Sequence, residues 1–315
     1  MSPFGRNKPA QPTDEERRAA EVDLERIRQG GIPLGAEERL KRVANASTPF
    51  FTSDLSAKEY ALAQAGSLQP VAQVMGSSVV KHGWQGQQFG TSWGHAEVRS
   101  LSDPWNMART RAFNRLREEA RLAGADGVIG IEISAGSAFD GADTVEFVVF
   151  GTAVRDHAFP AGKEGELAMC GLSGQDVDKL RRLGAQVCEL VGYTTVISVA
   201  LQPGSNYLMN SSGFFGGGSR NAEITEVVQG VYEARRMVMS EVRRQASFAG
   251  ADHLVVSTLE HSIAHREYEA GGTTHHYFYV TMHMLGTAIR MGARKPHPAP
   301  LRSPLVSINL GDQDS

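Results

Sequence analysis

Five histidines fall within 23 residues near the end of this chain: His261, His265, His275, His276 and His283. Neutral imidazole ligates zinc, nickel and copper, so a divalent transition metal is the first chemistry this concentration suggests. Strand alternation divides the set. If Val255, Leu259, Val280 and Met282 face a core, then His261, His265 and His276 lie on that side toward the open end of a hairpin, and His275 and His283 lie on the other. Those first three are the candidate ligands; ordinary strand-edge histidines are the simpler account of them. A hairpin centred on GluAlaGlyGlyThrThr also makes Glu260 a cross-strand neighbour of His283. That second-face pair offers either a pH-sensitive contact or half of a metal site completed by another subunit.

Two glycine-rich loops invite ligand readings. GlyPhePheGlyGlyGlySerArgAsn at 213 to 221 precedes a helix but lacks the GlyLysSer/Thr ending of a P-loop, and Glu223 and Glu226 put negative charge in the first helical turn. It reads as an insertion. The earlier loop carries Trp84, Phe89, Trp93 and His95 among glycines, aromatics suited to a subunit interface or to a ligand cleft. No GxSxG elbow, HExxH pair or GxGxxG fingerprint occurs, and no catalytic residue stands out. Cys170 and Cys188, separated by 17 residues and without a CxxC companion, argue against both a disulfide framework and a thiolate zinc site.

Composition narrows the classes further. With 32 basic against 35 acidic residues there is no excess positive charge to drive binding to nucleic acid or anionic lipid. No stretch approaches the roughly 18 apolar residues of a membrane span, and the opening residues do not form a secretory signal. A cytoplasmic location is expected.

Behind these residues stands an internal repeat. ArgGluGluAlaArgLeuAlaGlyAlaAsp at 117 to 126 returns as ArgArgGlnAlaSerPheAlaGlyAlaAsp at 243 to 252, each followed by a β-branched run. PheGlyThrAlaValArg at 150 to 155 returns as LeuGlyThrAlaIleArg at 285 to 290. Upstream, Ser56 with Glu59 and Ser173 with Asp176 have capping-box spacing, and Gly66 and Gly184 suit helix ends. Gly76 and Gly192 fall at matching places in two strand-like runs, marking a bulge or a close backbone approach. Ala112, Leu116, Ala120 and Ala123 align with Val238, Val242, Ala246 and Ala249 as one apolar helix stripe. Val145, Phe147 and Val149 align with Val280, Met282 and Met284 as alternating strand positions. The opposite strand face also carries apolar residues, including Val148, Phe150 and Leu285, which predicts an interface with another domain or subunit.

The charged helix, the AlaGlyAlaAsp motif before a β-branched strand and the last strand ending GlyThrAlaValArg together resemble the YbjQ-like family, labelled heavy-metal-binding. The resemblance covers both repeats, about residues 49 to 290. It implies a βαββ core similar to that of dodecin subunits and ring-shaped pentamers. It brings no ligand set that transfers to these residues. The expected fold is α+β: two tandem βαββ, dodecin-like domains, each a small antiparallel sheet backed by a long helix, plus an N-terminal helical arm. The divisions are 1–48 for the arm, 49–155 and 166–290 for the domains, 156–165 for the linker and 291–315 for an unstructured Pro-rich tail. The arm should open at the capping box of Thr13 with Glu16 and run to about Gln29.

The expected function is a non-enzymatic oligomeric scaffold or small-ligand-binding protein. A heavy-metal-binding protein using the second-repeat histidines is the alternative, and an enzyme with an inter-subunit site comes third. The expected partner is the chain itself, as a pentamer, with room for a protein partner on the N-terminal helix or the tail.

Overall fold

A computed structural model of the chain describes residues 13–45, 68–81, 95–136, 144–156, 167–210 and 223–292. The elements run α1 (Asp14–Arg28), α2 (Leu34–Asn45), β1 (Gln69–Lys81), β2 (His95–Glu97), α3 (Arg99–Leu122), β3 (Gly127–Gly136), β4 (Thr144–Arg155) and β5 (Ala168–Met169). They continue α4 (Gly174–Arg182), β6 (Gln186–Ala200), α5 (Pro203–Asn210), α6 (Thr225–Phe248), β7 (His253–Ala270) and β8 (Thr273–Arg290). The strands form two four-stranded sheets, β1-β4-β3-β5 and β2-β6-β8-β7. The Ser56 capping pattern, Gly66 and the tail beyond residue 292 lie outside the described residues.

The repeated motifs are one lock made twice. AlaGlyAlaAsp ends each long helix, with Gly124 (φ 69°) and Gly250 (φ 73°) in the left-handed conformation that glycine adopts without strain. The arginine closing the last strand of each half reaches back to that end. Arg155 Nε donates to the Gly124 carbonyl (2.8 Å) and Arg290 Nε to the Gly250 carbonyl (2.6 Å), satisfying C-terminal acceptors of the helix. The aspartate completes the joint: Asp126 accepts from the Asp156 N–H (2.8 Å) and Asp252 from the Met291 N–H (3.0 Å). The motif therefore fixes where the helix ends relative to the strand beside it.

Register refines the repeat. Val74 lies opposite Gly151 in the first sheet, and Val191 opposite Gly286 in the second, with irregularities near Val71 and Cys188. On that frame Gly192 corresponds to Met75, so Gly76 and Gly192 are one position apart and face opposite sides of their sheets. Gly76 faces α3, and a Cβ there would sit 1.9 Å from the Ala112 carbonyl oxygen. Gly192 faces away from α6, and a Cβ there would meet the Leu285 side chain and approach Arg109. The glycines serve two different close approaches, which is why a shared motif position misaligned them.

Each half completes the other's sheet. β2, from the first half, pairs antiparallel with β6. β5, which leads into the second half, pairs parallel with β3, so the sheets expected to be purely antiparallel and three-stranded each gain a strand, one of them parallel. The segment after β5 then bridges the sheets, with the Gly171 N–H donating to the Thr287 hydroxyl (3.1 Å). Helix α4, capped by Ser173 accepting from the Asp176 N–H, places Val177 in the small core formed at this seam with Ile129, Cys170, Val187 and Ile289.

Helix α3 has two working faces. Ala108, Ala112, Leu116 and Ala120 pack on the first sheet. On another stripe, Trp105 and Arg109 meet the second face of the second sheet, and Ser102 and Asn106 bond the open edge of β6. Asn106 accepts from the Thr194 N–H (3.0 Å) and donates to its carbonyl (2.8 Å), while Ser102 Oγ accepts from the Val196 N–H (2.9 Å). The apolar second face of that half thus has an intramolecular cover, and Leu285 joins the first-half core. Matching side chains also seal the sheet edges: Glu119 accepts from the Met75 N–H (2.9 Å), and Gln245, its counterpart on α6, from the Gly192 N–H (3.2 Å). Burial raises the Glu119 pKa against the opposing pull of that N–H and Arg39.

The arm is helical, and its capping box at Thr13 and Glu16 is formed. It docks through buried Ile32 and Leu40 and through Arg115, which donates to the Ile27 and Gly31 carbonyls.

Candidate functional site

The hairpin of β7 and β8 carries the histidines. Register places Glu260 opposite His283, His261 opposite Met282, His265 opposite Phe278 and Glu267 opposite His276. Directly opposed residues share a face, so His261, His265, Glu267 and His276 project on the helix side and Glu260 and His283 on the other.

The structure brings together His265, Glu267 and His276. His265 Nε2 is 2.9 Å from His276 Nδ1, and Glu267 Oε1 is 4.0 Å from the first and 3.7 Å from the second. His265 stacks on Phe278 with ring centroids 4.8 Å apart, which orients its imidazole. The strand at His276 is held from behind, the backbone N–H of His276 donating to Asn206 Oδ1 (3.0 Å) on α5 while Asn206 Nδ2 donates to the Thr274 carbonyl (2.9 Å). The side chain of His276 is 6% exposed, that of His265 36% and that of Glu267 60%, so the group opens to solvent on one side.

His261 is not part of this group. It lies four residues earlier on an extended strand, roughly 13 Å away along the backbone, and is exposed. Glu267 is not among the candidates drawn from the sequence, although it follows His265 by two, the spacing that puts two strand residues on one face.

His283 has a different environment. Its Nδ1 is 2.9 Å from the Thr194 hydroxyl and its ring meets Trp105 edge-on at 4.6 Å. Burial, reinforced by the Arg109 charge, lowers its pKa to about 4. It is therefore neutral near pH 7, and Glu260 stands exposed opposite it. His95 forms part of β2, with Nε2 2.7 Å from the Glu226 carbonyl at the start of α6. Trp84, Phe89, Trp93 and the 213–221 loop lie outside the described residues.

A cleft of about 700 Å³ opens between α3, β6 and the end of α6. Arg109, Arg117, Arg244 and Arg290 line it, with Glu189 near Arg117 (3.6 Å). Arg109 is buried, its pKa lowered to about 10 by desolvation against the pull of Tyr193 and Glu241, and it donates to Asn106 Oδ1 (2.7 Å).

These elements have known relatives. A family profile described as "Putative heavy-metal-binding" (YbjQ) matches residues 70–157, which hold β1 to β4. A Mycobacterium tuberculosis protein named "Encapsulin nanocompartment protein Rv1762c" is 31% identical over 246 residues, covering 76% of this chain and 88% of that protein. The chain belongs to the YbjQ-like family. Two UPF0145 proteins match over 59 residues, one from Clostridium novyi at 42% identity and one from Lacticaseibacillus casei at 39%. The matches span 55% and 53% of those relatives and 19% of this YbjQ-like chain. Histidines 265 and 276 lie beyond the residues that the family profile matches. Among the described residues, no helix is long and apolar enough to cross a membrane.

Proposed function

We propose that this YbjQ-like chain is a non-enzymatic scaffold that assembles with copies of itself, built from two tandem βαββ units divided near residues 155 and 166. The carrying observation is the edge of β7. In the first sheet the corresponding strand, β3, receives β5 from the other half of the chain. In the second sheet β7 is the edge, with no strand beyond it among the described residues, and its Leu259 and Ile263 are each 46% exposed. An unpaired edge is a template for strand addition, and the chain already uses such addition internally.

Addition onto β7 of a different strand from another copy is a head-to-tail contact, which closes into a ring when the rotation permits. Exposed Met75 and Val79, on the second face of the first sheet, offer further apolar surface. The pentamer implied by the family resemblance is the form we favour, presenting ten domains. The name of the Mycobacterium tuberculosis relative supports an assembly context, and we place this chain in relation to a protein nanocompartment. The arginine-lined cleft supports a small anionic ligand as an accompanying role, and exposed Val22 and Leu24 on α1 offer a protein-docking surface.

Native mass spectrometry of the untagged chain at micromolar concentration tests assembly. A five-chain species is expected. A monomer with a folded circular dichroism spectrum refutes the proposal.

A further inference from the structure

We propose that His265, Glu267 and His276 form a binding site for one divalent first-row transition ion, with zinc as the reference occupant. The three donor atoms make a triangle with sides of 2.9, 3.7 and 4.0 Å. A triangle of those sides has a circumradius of about 2.1 Å, so one point lies at that distance from both nitrogens and the carboxylate oxygen. Zinc bonds to imidazole nitrogen at about 2.0–2.1 Å and to carboxylate oxygen at about 2.0–2.2 Å. The donor spacing thus fits an ion.

The chemistry of the donors agrees with the spacing. Two neutral imidazoles and one carboxylate leave a divalent ion with one net positive charge, and this donor set suits zinc, nickel, cobalt and copper better than magnesium or calcium. Without an ion, the 2.9 Å approach of two imidazole nitrogens requires a proton between them, and ion binding would move that proton to the far nitrogen of its own ring, freeing both facing nitrogens as ligands. The support is uneven in a useful way. The His276 ring is fixed by burial and by stacking on His265, and Asn206 anchors its backbone; His265 is fixed by Phe278, whereas exposed Glu267 can adjust to close the site. A fourth position faces solvent, giving both a route of entry and room for water. The site belongs to the second half alone and lies outside the residues matched by the family profile, so the family label does not assign it.

The test uses full-length protein purified without a polyhistidine tag and stripped with chelator. Zinc alone is titrated by calorimetry, and cobalt is followed by its visible absorption. His265→Ala and Glu267→Gln alter partly exposed ligands and should stay folded, as judged by circular dichroism; His261→Ala is the control. The expected result is one ion per chain, bound in the micromolar range or tighter, with each ligand variant weakening zinc by about tenfold or more and losing the cobalt spectrum. The control should bind as the unaltered chain does. Absence of zinc binding at high micromolar concentration overturns the proposal. So does binding that survives both ligand variants, or binding lost with His261.

Discussion

Replacing Gly76 by alanine tests the tightest site among the described glycines. A Cβ at that position would lie 1.9 Å from the Ala112 carbonyl oxygen and 2.8 Å from the Leu116 nitrogen, both backbone atoms of α3. Real Cβ atoms essentially never come within 3.0 Å of such a neighbour, so the helix must retreat by at least about 1.1 Å (from 1.9 to 3.0 Å). Side-chain rotation cannot relieve the contact. The retreat loosens fully buried Ala112 and Leu116 and stretches the bond from the Met75 N–H to Glu119. Overpacking typically costs 1–3 kcal/mol, and a clash with backbone belongs at about 3 kcal/mol. At about 2–4 °C per kcal/mol for a cooperative unit of 150–250 residues, Tm should fall by about 6–12 °C. Gly35, near the start of α2, has nothing within 4 Å of a built Cβ and an ordinary φ, so Gly35→Ala should leave Tm unchanged or raise it slightly. Differential scanning calorimetry of both variants decides the matter. A Gly76→Ala protein melting within 2 °C of the unaltered chain would refute the packing argument.

Two further outcomes follow from buried titratable groups. The folded chain holds His283 near pKa 4, below the ordinary value of 6.5, so between those values the unfolded chain binds the proton and the folded chain does not. Stability should therefore fall as pH drops from 7 to 5, with about 2 kcal/mol of the loss due to this residue. Guanidinium denaturation of His283→Gln should show that share of the pH dependence gone; an unchanged slope would count against it. Burial pushes the Cys170 thiol up to about 11 and leaves it fully enclosed, so a thiol reagent at pH 8 should label at most Cys188 in native protein and both cysteines in guanidinium. Rapid labelling of two thiols in the native state would contradict the burial.

The sequence was most readable where contacts are local or repeat. Capping pairs such as Thr13 with Glu16 are contained in four residues, and the lock between AlaGlyAlaAsp and the closing arginine shows itself because both parts recur in order. The paired apolar stripes of α3 and α6 were legible for the same reason. Strand exchange was not, because β2 has three residues and β5 two, too few to establish a period, and their partners lie in the opposite half. Gly76 and Gly192 looked equivalent since identity in a short run outweighs a one-residue offset that only hydrogen-bond register reveals. At the histidine group, alternation identified the shared face of His261, His265 and His276. Convergence depended on the cross-strand pairing of Glu267 with His276, which strand composition does not specify.

The exchange of β2 and β5 also bears on how such a chain can change over time. Deleting the first half would strip β2 from β6, together with the Asn106 and Ser102 bonds to its edge. Deleting the second would remove β5 from β3 and leave the seam residue Ile129 without Val187 and Ile289. Neither remnant retains a finished sheet boundary. Because the two halves lend each other strands, shortening the chain to either one costs the remnant a bordering strand. The arrangement acts as a ratchet: residues may drift and loops may lengthen, but the chain is held to its full complement of strands.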